Sequence, residues 1–143
     1  PSASSKGIAV ASTFIQNAIK DRTRKGKSVK GGGFKPYSTK PYFFNIGSER
    51  NPKYKTFQGG YKAFRAYKGR TTTPNLFFSG QMLGNMTFKK LSSTKGQVFF
   101  PNRTQNIKAF FNDQTRPFFS VNRKEEDKAV DIFRKTFERE LRI

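Results

Sequence analysis

Over its first 112 residues this chain carries 21 lysines and arginines against two acids, Asp21 and Glu49. The last 31 residues carry eight bases and seven acids, so nearly all of the net +20 sits ahead of residue 113. Self-repulsion on that scale opposes any fold that packs the basic segments together. It favours a polyanion or an acidic protein surface beside them. Binding is implied; the partner is not.

At 143 residues the chain suffices for one domain with a modest core. Seventeen Phe and five Tyr supply much of the apolar material in a sequence that is 34% hydrophobic. Five Phe-Phe doublets recur: Phe43-Phe44, Phe77-Phe78, Phe99-Phe100, Phe110-Phe111 and Phe118-Phe119. Neighbouring side chains oppose one another on a strand and diverge by about 100° on a helix. Each doublet therefore tends to send one ring to the core and offer the other elsewhere, although burial of both is an equal alternative. A second aromatic surface points to a subunit interface.

Cysteine and histidine are both absent. Disulfides and thiolate metal sites are excluded, and the usual general base and commonest transition-metal ligand are missing. No apolar run approaches a membrane span, and no signal-peptide core is present. The chain opens on Pro1, which suggests removal of an initiator Met and synthesis in a cytoplasm.

Residues 5–24 read as an amphipathic helix with Ile8, Ala11, Ile15, Ala18 and Ile19 on one stripe and Gly26 as its stop. Residues 26–75 are broken by Gly and Pro, with short aromatic pieces at 42–46, 54–57 and 61–67. The partial alternation at 61–67 reads as a strand, making 50–70 a basic hairpin or arm that turns near Gln58-Gly59-Gly60. From Arg22 to Arg70, 14 bases face one acid, and such a segment is expected outside any core. Ser79 is placed to cap a short helix with Met82, Leu83 and Met86 inward. A hairpin across 92–96 follows, then a short helix capped by Asn102 or Thr104 with Ile107, Phe110 and Phe111 inward, then an extended piece at 116–121. The last helix opens on a capping box, Asn122 with Glu125, and carries Val130, Phe133, Phe137 and Leu141 as its stripe.

The residues argue against an enzyme. Metal-dependent phosphoryl chemistry needs converging carboxylates or histidines, and most of the acids lie along one helix, as on a solvated face. Serine and threonine have no histidine to activate them, and Gly31-Gly32-Gly33 lacks phosphate-loop or dinucleotide spacing. Neither cofactor nor metal nor small-molecule substrate is expected. Lysines interleaved with rings, as in Lys53-Tyr54-Lys55 and Tyr61-Lys62-Ala63-Phe64-Arg65-Ala66-Tyr67-Lys68, suit phosphate contacts beside stacking platforms. They equally suit an arm slotted into an acidic neighbour.

The order of short motifs separates these readings. A helix ending Asp21-Arg22-Thr23-Arg24-Lys25-Gly26 precedes a loop reading Gly33-Phe34-Lys35-Pro36-Tyr37-Ser38, with Tyr42 four residues on. Then come Ser79-Gly80-Gln81-Met82-Leu83 and Arg116-Pro117-Phe118-Phe119 before the closing helix. This succession, over roughly 15–141, resembles the neck or tail-completion proteins of tailed bacteriophages, also called minor tail or virion-morphogenesis proteins. The glycine-rich insert and the stretch 50–70 are more basic than that family's pattern. The resemblance implies an α+β subunit, a small antiparallel sheet packed by N- and C-terminal helices with long basic loops. It implies a single structural domain, 1–143, with a basic arm over about 26–75. It further implies a structural virion protein forming a homo-oligomeric ring beside connector and tail-tube proteins, near the genomic DNA and away from membranes. The alternative is a basic nucleic-acid-binding protein of a ribonucleoprotein.

On either reading the candidate contact residues are Lys25, Lys27, Lys30, Lys35, Lys53, Lys55, Lys62, Arg65, Lys68 and Arg70, with Tyr54, Tyr61 and Tyr67. The plainer alternative is a loop kept soluble by its charge. Tyr37 and Tyr42 are expected to pack under the loop, and Arg116–Phe119 to orient the last helix.

Overall fold

A computed structural model describes residues 2–76 and 80–142. The fold is mixed α+β: α1 (Ala3–Arg24), β1 (Tyr42–Asn45), β2 (Tyr54–Phe57), α2 (Gly60–Tyr67), α3 (Gln81–Asn85), β3 (Thr87–Ser92), β4 (Lys95–Phe99), α4 (Arg103–Thr115) and α5 (Arg123–Leu141). The strands make two separate antiparallel pairs, β1–β2 and β3–β4. The chain divides into two compact units, one built from 1–34 with 75–143 and the other from 35–74.

The first unit is organised by α1. The Ser2 hydroxyl accepts from the Ser5 amide at 3.2 Å to start the helix. Gly26 ends it at φ 73°, with its own amide donating to Thr23 O and that of Lys27 to Arg22 O. These paired bonds satisfy the last carbonyls as an αL C-terminus requires, and the expected stop is found. α5 begins on the expected capping box and runs antiparallel to α1, held near both ends. Lys6 Nζ meets Glu140 Oε2 at 2.6 Å, and the Arg22 guanidinium grips both Glu125 oxygens at 3.1 and 3.2 Å. Between them a Cβ on Gly7 would lie 2.6 Å from the Phe133 ring, so only glycine permits this approach.

The β3–β4 hairpin lies on α1, its Gly96 against Ser12 and Ile8 and the Met86 carbonyl accepting from Gln16 Nε2 at 3.1 Å. The hairpin and the inward Met82, Leu83 and Met86 are as expected. The core gathers Ile19, Phe34, Met82, Leu83, Met86, Phe100, Ala109 and Phe118. Full burial of the larger of these side chains is worth about 1.5–3 kcal/mol each. Asp113 Oδ1 accepts from the amides of Phe118 and Phe119, both at 2.9 Å, which fixes the segment entering α5.

Two helical faces differ from expectation. α4, capped by Asn102, docks through Ala109, leaving Ile107, Phe110 and Phe111 exposed. A small residue lets that helix sit close beside α3, and the larger stripe is left outside. On α5, Thr136 is buried and Phe133 and Phe137 half-buried, while Val130 and Leu141 are exposed. The Phe77-Phe78 doublet and the Ser79 cap lie outside the described residues.

The second unit, Lys35–Pro74, corrects the reading of an extended arm. Its hairpin turns at 46–53, where Asn45 Oδ1 accepts from the Gly47 and Lys53 amides at 2.9 Å each. Gln58–Gly60 instead leads into a helix, α2, where a strand was expected. Tyr61, Phe64 and Arg65 stand at i, i+3 and i+4 on the inward face, and that period prevails over the weak alternation. Gly60 makes the join at φ 78°; a Cβ there would lie 2.5 Å from the Lys40 and Ser38 carbonyls. Phe64 packs against Tyr42, Phe44, Phe57 and Tyr61, giving this basic segment an aromatic core of its own.

Candidate polyanion-binding surface

The Lys35–Pro74 unit holds nine bases and one acid, Glu49. Residues opposite one another in β1–β2 share a face, so Tyr42, Phe44 and Phe57 look toward α2 while Phe43 and Tyr54 look away. Phe43 and Tyr54 stack with centroids 5.0 Å apart and planes within 5°, and are 64% and 61% exposed. Lys53 and Lys55 bracket Tyr54 and are exposed. Lys55 Nζ reaches back to stand 4.6 Å from the centroid of Tyr67, itself half-exposed. Lys68 Nζ lies 5.8 Å from the Phe44 ring. Lysines parked over rings keep charge at the surface while their stems cover apolar area.

One predicted contact residue proves to be internal and a second half-buried. Arg65 is 1% exposed, its guanidinium 4.7 Å from the Tyr37 ring and its Nε donating to Thr71 O at 2.9 Å. It fastens the end of α2 to the segment beyond it, and the expectation that Arg65 meets a partner is withdrawn. Tyr61 is half-buried between Tyr37 and Tyr42 at 5.3 and 5.4 Å. Burial, reinforced by the neighbouring Tyr61, pushes the Tyr42 hydroxyl up from its ordinary value, so that ring stays neutral. Tyr37 is buried as expected.

Lys35, Lys62, Lys68 and Arg70 are exposed in this unit together with Lys53 and Lys55. Lys25, Lys27 and Lys30 belong to the first unit, exposed on a loop that is tied rather than loose. There Lys27 bridges Gly33, Ser28 N donates to Gly32 O at 2.7 Å and Val29 N to Pro117 O at 3.0 Å. Sequence reasoning missed Phe43, Lys40 and Arg50, all exposed. The Phe43-Phe44 doublet on a strand carried the signal for the first.

The first unit has a separate apolar groove of about 390 Å³ lined by Ile8, Ala11, Ile15, Val98, Phe119 and Val121 among others. Several acids of this unit are engaged in pairs: Glu125 with Arg22, Glu140 with Lys6, and Asp131 with Arg134 and Lys135 at 2.9 Å each. Among the described residues no three His, Cys, Asp or Glu cluster to hold a metal, and no helix is long and apolar enough to cross a membrane. What the surface offers is charge and flat rings, the means of binding. Comparison with protein-family models, curated proteins and solved structures returns no match.

Proposed function

We propose that the chain is a non-catalytic structural subunit of the neck or head-proximal tail of a tailed bacteriophage, assembling as a ring near the DNA path with the Lys35–Pro74 unit against a polyanion or acidic neighbour. The observation that carries this reading is convergence. Phe34, Met82 with Leu83, and Phe118 come from three of the four separated motifs behind the resemblance, and they share one buried cluster. Motifs that meet in a core report on fold, which supports reading the resemblance as one of architecture. Exposed rings on α4 and on β1–β2 give such a subunit apolar surface for neighbours. The test is mass spectrometry and electron microscopy of purified virions. The protein is expected in mature particles at a copy number fitting a closed ring, and its absence would overturn the reading.

A second reading, a nucleic-acid-binding protein, is favoured by nine bases against one acid in the same unit as the exposed Phe43–Tyr54 stack. It predicts that log affinity falls linearly with log salt, with a slope of roughly −0.7 to −0.9 per phosphate neutralised. A titration that finds no binding to DNA or RNA would end it.

A further inference from the structure

We infer that the outer face of the β1–β2 hairpin is a stacking platform for unpaired nucleic-acid bases, an inference that rests on the nucleic-acid reading above. The strand alternation that buries Tyr42, Phe44 and Phe57 against α2 leaves Phe43 and Tyr54 on the opposite face. They sit diagonally across the strands, since Phe43 pairs with Thr56 and Tyr54 with Asn45. Their planes are within 5° at 5.0 Å, yet each ring is more than 60% exposed. Rings of this size normally bury their area, and two parallel exposed faces offer a third flat ring a place to continue the stack.

The charges around the pair suit the backbone of the same ligand. Arg50 stands in the turn and Lys40 precedes β1, both exposed; Lys55 alternates to the α2 face, its Nζ over Tyr67. A single strand laid across the rings meets cations at the tip of the hairpin and at its base. Duplex bases have their faces covered by their neighbours, so the rings favour unpaired strands while the lysines alone serve any polyanion.

The test is fluorescence anisotropy of the intact chain with labelled oligothymidylate, a hairpin duplex of equal charge, and inorganic polyphosphate. Oligothymidylate is expected to bind most tightly. Phe43→Ala with Tyr54→Ala should weaken it roughly tenfold or more, leaving polyphosphate affinity nearly unchanged. The aromatic exchange F43Y/Y54F should retain binding. If the alanine pair perturbs the circular dichroism spectrum, F43L/Y54L keeps bulk on the strands while removing the flat rings, and the same loss is expected. Equal loss on all three ligands, or no loss on the oligonucleotide, overturns the inference. So does a fall in oligomeric state with oligonucleotide affinity intact, which would make the rings a protein anchor. Failure of the parent chain to bind any of the three sinks the nucleic-acid reading itself.

Discussion

Arg65 shows how a residue chosen for its charge can serve packing. In sequence it stands among Lys62, Lys68 and Arg70 with nothing to single it out. Helical spacing turns it inward, where it lies over Tyr37 and bonds to Thr71 O. Arg65→Ala is therefore expected to destabilise the Lys35–Pro74 unit by about 3 kcal/mol, through a cavity and a lost hydrogen bond. Near-UV dichroism of the tyrosines during urea unfolding would read it. Gly60→Ala should act on the same unit, because φ is positive there and the new methyl would press on the Lys40 and Ser38 carbonyls. A loss of at least about 2 kcal/mol is expected in the same assay. Exposed Lys62→Ala is the control and should stay within about 0.5 kcal/mol. Neither inward residue was legible beforehand. Whether a base is outside or inside depends on the period of its element, and at 61–67 the two periods compete.

At the scale of elements, the α1–α5 pairing is set by its two ends. Arg22 and Glu125 are nearly buried, and the guanidinium also donates to the Phe118 and Ser120 carbonyls at 3.3 and 2.7 Å. Arg22→Met leaves Glu125 buried without its cation and should cost about 3 kcal/mol in chemical denaturation. At the other end, the hydrogen bond from Lys6, aided by its charge, holds the Glu140 carboxyl below its ordinary 4.5. A carboxylate depressed in the folded state stabilises the fold above its unfolded pKa, and that contribution is lost as pH falls through the folded value. The pairing should weaken as pH falls below the ordinary glutamate value, and Glu140→Gln should flatten the acid limb of a thermal-melt profile there. Both long helices, the Gly26 stop of α1, the capping box of α5 and the β3–β4 hairpin could be read from sequence because stops, caps and periodicity are local. The faces of α4 and α5 could not. Which stripe of a helix is covered depends on what arrives from elsewhere, and Ala109 and Thr136 outcompete larger neighbours only once α3 and α1 are in place.

For the molecule as a whole, both units are basic, and the charge is denser in the second: 20 bases stand against eight acids in the first unit and nine against one in 35–74. The balanced C-terminal segment serves the first, where several acids act as fasteners. The first unit's buried cluster contains no described residue of 35–74, yet Phe34 belongs to it and Leu76 packs against it. Replacing 35–74 by a short Gly-Ser linker should leave a cooperative thermal transition with helical far-ultraviolet dichroism and lower the affinity for polyanions without removing it. Loss of the transition would show that the cluster depends on the excised segment. That 35–74 folds compactly was hidden because its rings are few, close together and surrounded by lysines, a composition shared with disordered arms.

The Lys6–Glu140 contact carries a consequence for how the backbone can be cut and rejoined. It sets the opening turn of α1 beside the closing turn of α5. A short peptide splicing residue 142 to residue 2 would close the polypeptide into a circle without disturbing either helix. A new start and finish could then be opened in the exposed bend at 46–53, yielding a permuted chain with the same interior.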